Sequence, residues 1–210
     1  NRRFYEAPAV GLVKTNMGNR LYVAAASGYR EHPLEQATKD GLFVVSDNPL
    51  SDDESVVTLA KMQNVINSNG QKPSHGWYYF FQEEAKRFGE KAMSSPVIYD
   101  GKVLLSTYAP ELDSKINLTN ACSVSYGAAY LHAVDLYEGN AVSIEHETST
   151  LPSSTRSRRL AFTTPPPSPS ILLNEQGESQ VVVGTSFVGK DKTQDQRLRK
   201  LRWKQLPKDD

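Results

Sequence analysis

The chain has 210 residues, enough for one large domain or two small ones. Its 24 lysines and arginines equal its 24 aspartates and glutamates. That balance gives no long-range attraction for nucleic acid or an acidic membrane. The mean hydropathy is -0.52, and the longest apolar run, residues 21–26, is far too short to span a bilayer as a helix. A single cysteine, Cys122, cannot close an internal disulfide. It either pairs outside this segment or sits buried and free in a loop.

The first predicted strands fall at residues 7–10, 21–24 and 41–47. Residues 42–46 are almost wholly apolar and β-branched, so both faces of that strand should be covered. The aromatic run at residues 77–81 reads as a fourth strand. Between them, residues 47–75 read as an insertion carrying one short helix. Asp52, Asp53 and Glu54 suit the positive end of its dipole. Val56, Leu59, Ala60, Gln63 and Ile66 then follow at helical spacing, ending before Asn69-Gly70.

Residues 95–107 read as strand, tight turn, strand, with the turn at Asp100-Gly101, where both central positions tolerate positive φ. A long loop, residues 109–126, leads to a strand at 129–135 and a turn at Glu138-Gly139-Asn140. Residues 147–168 are rich in Thr, Ser and Pro and read as a stiff, extended connection with little to bury, either an exposed loop or the entry strand of the last unit. Strands follow near Ile171 and Gln180, and a final one at 201–206. Such recurrence is the signature of propeller blades. The expected fold is all-β: a partial β-propeller of about three blade-like units, residues 1–82, 93–146 and 165–210, with insertions at 47–75, 109–126 and 147–168. Closed rings need about four to eight blades. Further blades are therefore expected upstream or in another chain, and the segment alone is expected to fold poorly, with open edges and faces.

Few residues carry reactive chemistry. In Tyr29-Arg30-Glu31-His32, a catalytic reading makes His32 a base oriented by Glu31. A buried polar network holding Arg30 and His32 is the favoured reading. His132 lies inside a strand and reads as a satisfied core histidine. His75 and His146 are scattered, and no zinc spacing occurs. Gly-x-Ser-x-Gly, P-loop and dinucleotide patterns are absent. Asn117-Leu118-Thr119 fits a glycosylation sequon and is discounted. The seven basic and two acidic residues of 190–204 read as a solvated strand face. Loops are the expected working surfaces. The candidate binding residues are Asp52, Asp53, Glu54, Tyr108, Glu111 and Asp113, with Tyr108 as an aromatic anchor if exposed. Trp77 and Tyr79 are expected to fill blade interfaces.

The run Ser95-Pro96-Val97-Ile98-Tyr99-Asp100-Gly101-Lys102-Val103, followed by Tyr130-Leu131-His132-Ala133-Val134-Asp135, resembles quinoprotein-type propeller repeats. A narrower resemblance is to the PilC/PilY-type pilus-tip adhesins. It rests on Arg2-Arg3-Phe4-Tyr5-Glu6-Ala7-Pro8-Ala9-Val10, Gly28-Tyr29-Arg30-Glu31-His32-Pro33 and His75-Gly76-Trp77-Tyr78. Ser106-Thr107-Tyr108-Ala109-Pro110, Ala121-Cys122-Ser123 and Arg202-Trp203 extend it along nearly the whole chain.

This resemblance implies the C-terminal propeller of a type IV pilus biogenesis factor, non-catalytic, acting in pilus assembly, retraction control, surface adhesion and twitching motility. The implied partners are minor pilins at the pilus tip, a host or abiotic surface, and the upstream part of the same protein. The implied location is the cell surface or outer membrane of a Gram-negative-type bacterium. Calcium is known in the family, but its alternating Asp-x-Asp-x-Asn-x-Asp loop is absent here, as is Arg-Gly-Asp. No cofactor is therefore expected in this segment. A quinone-dependent propeller dehydrogenase and an outer-envelope assembly scaffold without adhesive role are the alternatives.

Overall fold

The computed structural model describes residues 2–15, 18–48, 56–67, 73–110, 127–143, 145–146, 149–150, 155–173 and 179–191. In chain order the strands are β1 (Ala9–Thr15), β2 (Gly18–Ala26), β3 (Gly41–Asp47), β4 (Gln63–Asn64) and β5 (Gly76–Phe80), with helix α1 (Phe81–Ala85) directly after. Then come β6 (Lys91–Ala92), β7 (Val97–Tyr99), β8 (Lys102–Pro110), β9 (Gly127–Asp135), β10 (Glu145–His146) and β11 (Ser149–Thr150). The last are β12 (Ser157–Arg159), β13 (Pro169–Leu173), β14 (Ser179–Val183) and β15 (Ser186–Asp191).

Among the described residues three open sheets result, in the orders β1-β2-β3-β5-β4, β12-β9-β8-β6 with β7 also on β8, and β11-β10-β15-β14-β13. The chain is all-β with the layout of a partial propeller. The middle sheet is buried on both faces. Val103, Leu105 and Val134 join Tyr22, Ala24, Leu42, Val44, Trp77 and Tyr79 of the first sheet in one core. Leu104, Ala129, Leu131 and Ala133 join Val181, Val183 and Val188 of the third sheet in another. Alternate side chains of a strand point to opposite faces, so a strand covered on both sides must be apolar nearly throughout. β8 and β9 are accordingly apolar at most positions, with Ser106, Thr107 and His132 as buried polar residues.

The hairpin between β7 and β8 turns where the sequence places it. Asp100 has φ 45° and Gly101 φ 67°, the two positive dihedrals of a type I′ turn. A β-branched residue tolerates this poorly. Gly101→Val is expected to lower stability by about 1–2 kcal/mol, read as a shifted urea midpoint at unchanged m-value. β8 and β9 are longer than predicted, pairing from Lys102↔Asp135 to Pro110↔Gly127, so the ladder consumes the first residues assigned to the loop.

Three expectations need correction. The helix predicted within residues 47–75 does not form in its described part. Leu59–Lys61 make one 3-10 turn, and β4 then runs parallel to β5, with Gln63 opposite Trp77. Val56 stays 76% exposed and Leu59 38%, and of the apolar residues at helical spacing only Ile66 packs on the core. A short helix with so little packing is not stable. Instead Val65 donates its N–H to the Tyr78 carbonyl at 3.0 Å, closing the edge of β5.

The second correction concerns β3. Leu42 and Val44 are fully buried, but Phe43 and Val45 on the other face are only half-buried. The third concerns residues 147–168, which do more than connect. Ser157–Arg159 add β12 to the middle sheet against β9, and Leu160 is buried in the second core. β10 meanwhile joins the third sheet through Glu145 opposite Lys190. The chain therefore crosses between sheets here. Residues 201–206, Cys122 and Asn117 lie outside the described residues.

Candidate functional site

The densest polar cluster among the described residues lies between the first two sheets. Alternation along β9 puts His132 on the face opposite Leu131 and Ala133, toward the first sheet. Tyr79 of β5 points across to meet it. Glu90 comes from the connection between α1 and β6.

Tyr79 Oη and His132 Nδ1 are 2.8 Å apart, and His132 Nε2 and Glu90 Oε1 are 2.7 Å apart. His132 thus bridges the phenol with one ring nitrogen and the carboxylate with the other. Thr107 Oγ1 donates to Glu90 Oε1 at 2.6 Å, and Arg87 Nε donates to Oε2 at 2.6 Å. Arg87 also donates to Ser157 Oγ at 2.8 Å and lies 4.0 Å over the Tyr130 ring. Tyr79, Glu90 and His132 are each buried to 2% exposure or less.

Burial alone would favour the neutral acid at Glu90. The charges and hydrogen bonds of His132 and Arg87 outweigh it and hold the carboxyl at about 2. Burial pushes the Tyr79 phenol well above its ordinary value. A phenol, an imidazole and a carboxylate in a row have the composition of a proton relay. Here Tyr79, Glu90 and His132 bond to one another and to Thr107 and Arg87, and these three side chains are buried. The arrangement ties sheet to sheet; it is not open to a substrate.

Two more ties cross the same interface. Trp77 Nε1 donates to the Leu136 carbonyl at 3.0 Å. Arg156 donates to Glu84 Oε2 at 3.0 Å, to the Gly139 carbonyl at 2.7 Å and to the Val65 carbonyl at 3.3 Å. Nearby, the ammonium of buried Lys91 donates to the carbonyls of Pro33, Glu35 and Gly89 at 3.1, 2.6 and 2.6 Å. Burial lowers its pKa, opposed by Asp40 and Glu35. Asp40 accepts from Ser27 Oγ at 2.8 Å, and burial raises its carboxyl above the usual range.

The polar residues singled out in the sequence fall elsewhere. Arg30 is not in a buried network. Its side chain is 62% exposed and paired with Glu6 at 2.5 Å. His32 is exposed and packs on the Tyr29 ring at 4.5 Å. Both sit in the connection between β2 and β3, where no second sheet covers them. Tyr108 is 4% exposed and so offers no surface anchor; its ring occupies the space a Cβ on Gly127 would take. Asp52, Asp53, Glu54, Glu111 and Asp113 lie outside the described residues. Among the described residues, no group of three or more His, Cys, Asp or Glu side chains is placed to hold a metal ion.

His132 is a satisfied core histidine, as its strand position suggests. Its partners were not legible. Glu90 and Tyr79 lie 42 and 53 residues away in sequence, and no local spacing links them.

The sheet order and the stacked double core define a class of protein: an all-β, propeller-like domain with open sheets. Its fold is that of the Pseudomonas aeruginosa PilY1 C-terminal domain, whose crystal structure it matches with a TM-score of 0.62 at 13% sequence identity. The match covers 90% of this chain and 45% of that one, so the chain spans about half the length of its structural neighbour. No protein-family model matches the chain, and no curated protein matches it by sequence.

Proposed function

We propose that the chain is the scaffold part of a type IV pilus-associated factor, non-catalytic, with binding carried by its loops at the cell surface or pilus tip. The observation that carries this is the PilY1-like fold at a TM-score of 0.62. The motifs from Arg2 to Pro8 and from His75 to Tyr78, which resemble the pilus-tip adhesins, point the same way. So does the use of the buried polar groups: Glu90, His132 and Tyr79 are consumed in holding two sheets together. Among the described residues no helix is long and apolar enough to cross a membrane. The proposed partners are minor pilins and a host or abiotic surface.

Immunogold labelling of sheared surface fibres, with an antibody against residues 47–75, tests this reading. Label at fibre tips is the expected result. Label confined to the envelope would replace tip adhesion by an envelope assembly scaffold. Label on neither, or quinone absorbance in the purified protein, would overturn the pilus assignment.

A further inference from the structure

Residues 31–38, in the connection between β2 and β3, have few ties to the rest of the molecule. None of them is buried, and none belongs to either core. Their largest apolar side chain, Leu34, is 47% exposed. Most of their hydrogen bonds stay inside the connection. Glu35 donates its N–H to the His32 carbonyl at 3.1 Å, and the Glu35 carboxylate accepts from the N–H groups of Ala37 and Thr38.

One group reaches them from outside. Lys91 of β6 is 0% exposed, and its Nζ donates to the carbonyls of Pro33 and Glu35 and to that of Gly89. Among the described residues, the bonds to Pro33 and Glu35 are the only hydrogen bonds that tie residues 31–38 to anything outside the connection. An ammonium has three N–H donors, one for each of the three carbonyls. The seat is close. A Cβ on Gly89 would stand 2.7 Å from Gln36 Cγ and 2.8 Å from the Glu35 carbonyl oxygen. The two feet of the connection are fixed separately: Gly28 donates its N–H to the Arg3 carbonyl at 2.9 Å, and Asp40 accepts from the Phe81 N–H at 3.0 Å.

We propose that residues 31–38 form a strap latched by the Lys91 ammonium, which opens and closes as a unit while the sheets stay folded. A segment with no buried apolar anchor opens at far lower free energy than the core strands beside it. Here the whole of its hydrogen-bonded attachment is one cation. Closed, the strap lies on Gly89 and spends the three donors of Lys91. Open, it gives the ammonium and its carbonyls to water. The inference goes beyond the scaffold reading and does not depend on it.

Hydrogen exchange read by mass spectrometry in the intact protein tests the latch. Lys91→Ala removes the ammonium. The expected result is exchange at least tenfold faster in the peptide spanning residues 31–38, with peptides from β2, β3 and β9 unchanged. Adding n-propylammonium, which replaces the deleted atoms, should restore slow exchange. Tetramethylammonium at the same concentration has no N–H to donate and should not. Gly89→Ala keeps Lys91 and puts a methyl group under the strap, and it should speed the same peptide alone. It decides the matter if Lys91→Ala does not fold.

Unchanged exchange of residues 31–38 in Lys91→Ala would overturn the proposal, because something else then holds the strap. Acceleration that spreads to β2 and β3 would overturn it as well, by making Lys91 part of what keeps the sheets folded. Equal rescue by tetramethylammonium would reduce the effect to one of salt. Failure of both variants to fold would also sink the idea, since a strap that opens by itself cannot be what holds the sheets together.

Discussion

Trp77→Ala is expected to cost about 3–5 kcal/mol, the range for removing a fully buried aromatic side chain. Trp77 is 0% exposed. Its ring stacks on Tyr79 with centroids 6.3 Å apart and planes 12° apart. Its Nε1 is the donor for the Leu136 carbonyl, so the residue also bonds the first sheet to the middle one. The site is shaped to the indole. Gly139 has φ 70°, and a Cβ there would stand 2.8 Å from Trp77 Cδ2. Trp77→Phe separates the two contributions. It keeps most of the apolar contact and removes the donor, for about 1–3 kcal/mol from the carbonyl left unpaired. Equilibrium urea unfolding of both variants checks this. A Trp77→Ala protein within 1 kcal/mol of the parent would show that the two sheets are not coupled through this ring.

Glu90→Gln is the second large effect. The substitution keeps the shape and removes the charge facing Arg87 and His132. Breaking a buried ion pair from one side costs about 3–5 kcal/mol, because the other charge stays buried. For a chain of this size that corresponds to a melting temperature lower by on the order of 10 °C.

The pH dependence has a definite sign. The Glu90 carboxyl is held at about 2 in the fold, against 4.5 ordinarily. A depressed carboxylate pKa contributes stability that is fully present above the ordinary value and is lost as pH falls through the folded one. The parent protein should therefore lose stability between about pH 4.5 and 2, and Glu90→Gln should show a flatter profile there. The two curves should converge as pH falls. Parallel curves across that window would mean Glu90 is not the group that titrates. A double-mutant cycle with His132→Gln should return a coupling well above 0.5 kcal/mol, as residues in one buried network do.

The parts of the fold that were legible share a local cause. β2 alternates Tyr22, Ala24 and Ala26 inward with Leu21, Val23 and Ala25 outward, a period written into adjacent residues. The Asp100-Gly101 turn needs only two residues that accept positive φ. β9 was legible from the alternation along residues 129–135 and the turn at Glu138-Gly139-Asn140 that closes it. Errors arose where a local signal had no tertiary partner to act on. Val56 and Leu59 are spaced for a helix, but both stay exposed. Arg30 and His32 are polar residues close to an apolar strand, yet their connection runs over the surface.

The sequence by itself determined the strand pattern, the type I′ hairpin and the all-β class, because alternation and turn chemistry act between neighbours. Only the tertiary structure decided which strands share a sheet, that β4 runs parallel to β5, and that β12 joins β9 from a segment that reads as a linker. It alone brought Glu90, His132 and Tyr79 together. Those outcomes depend on contacts between residues tens of positions apart. Such contacts form only when whole faces are buried together, and no short stretch of sequence records which face will meet which.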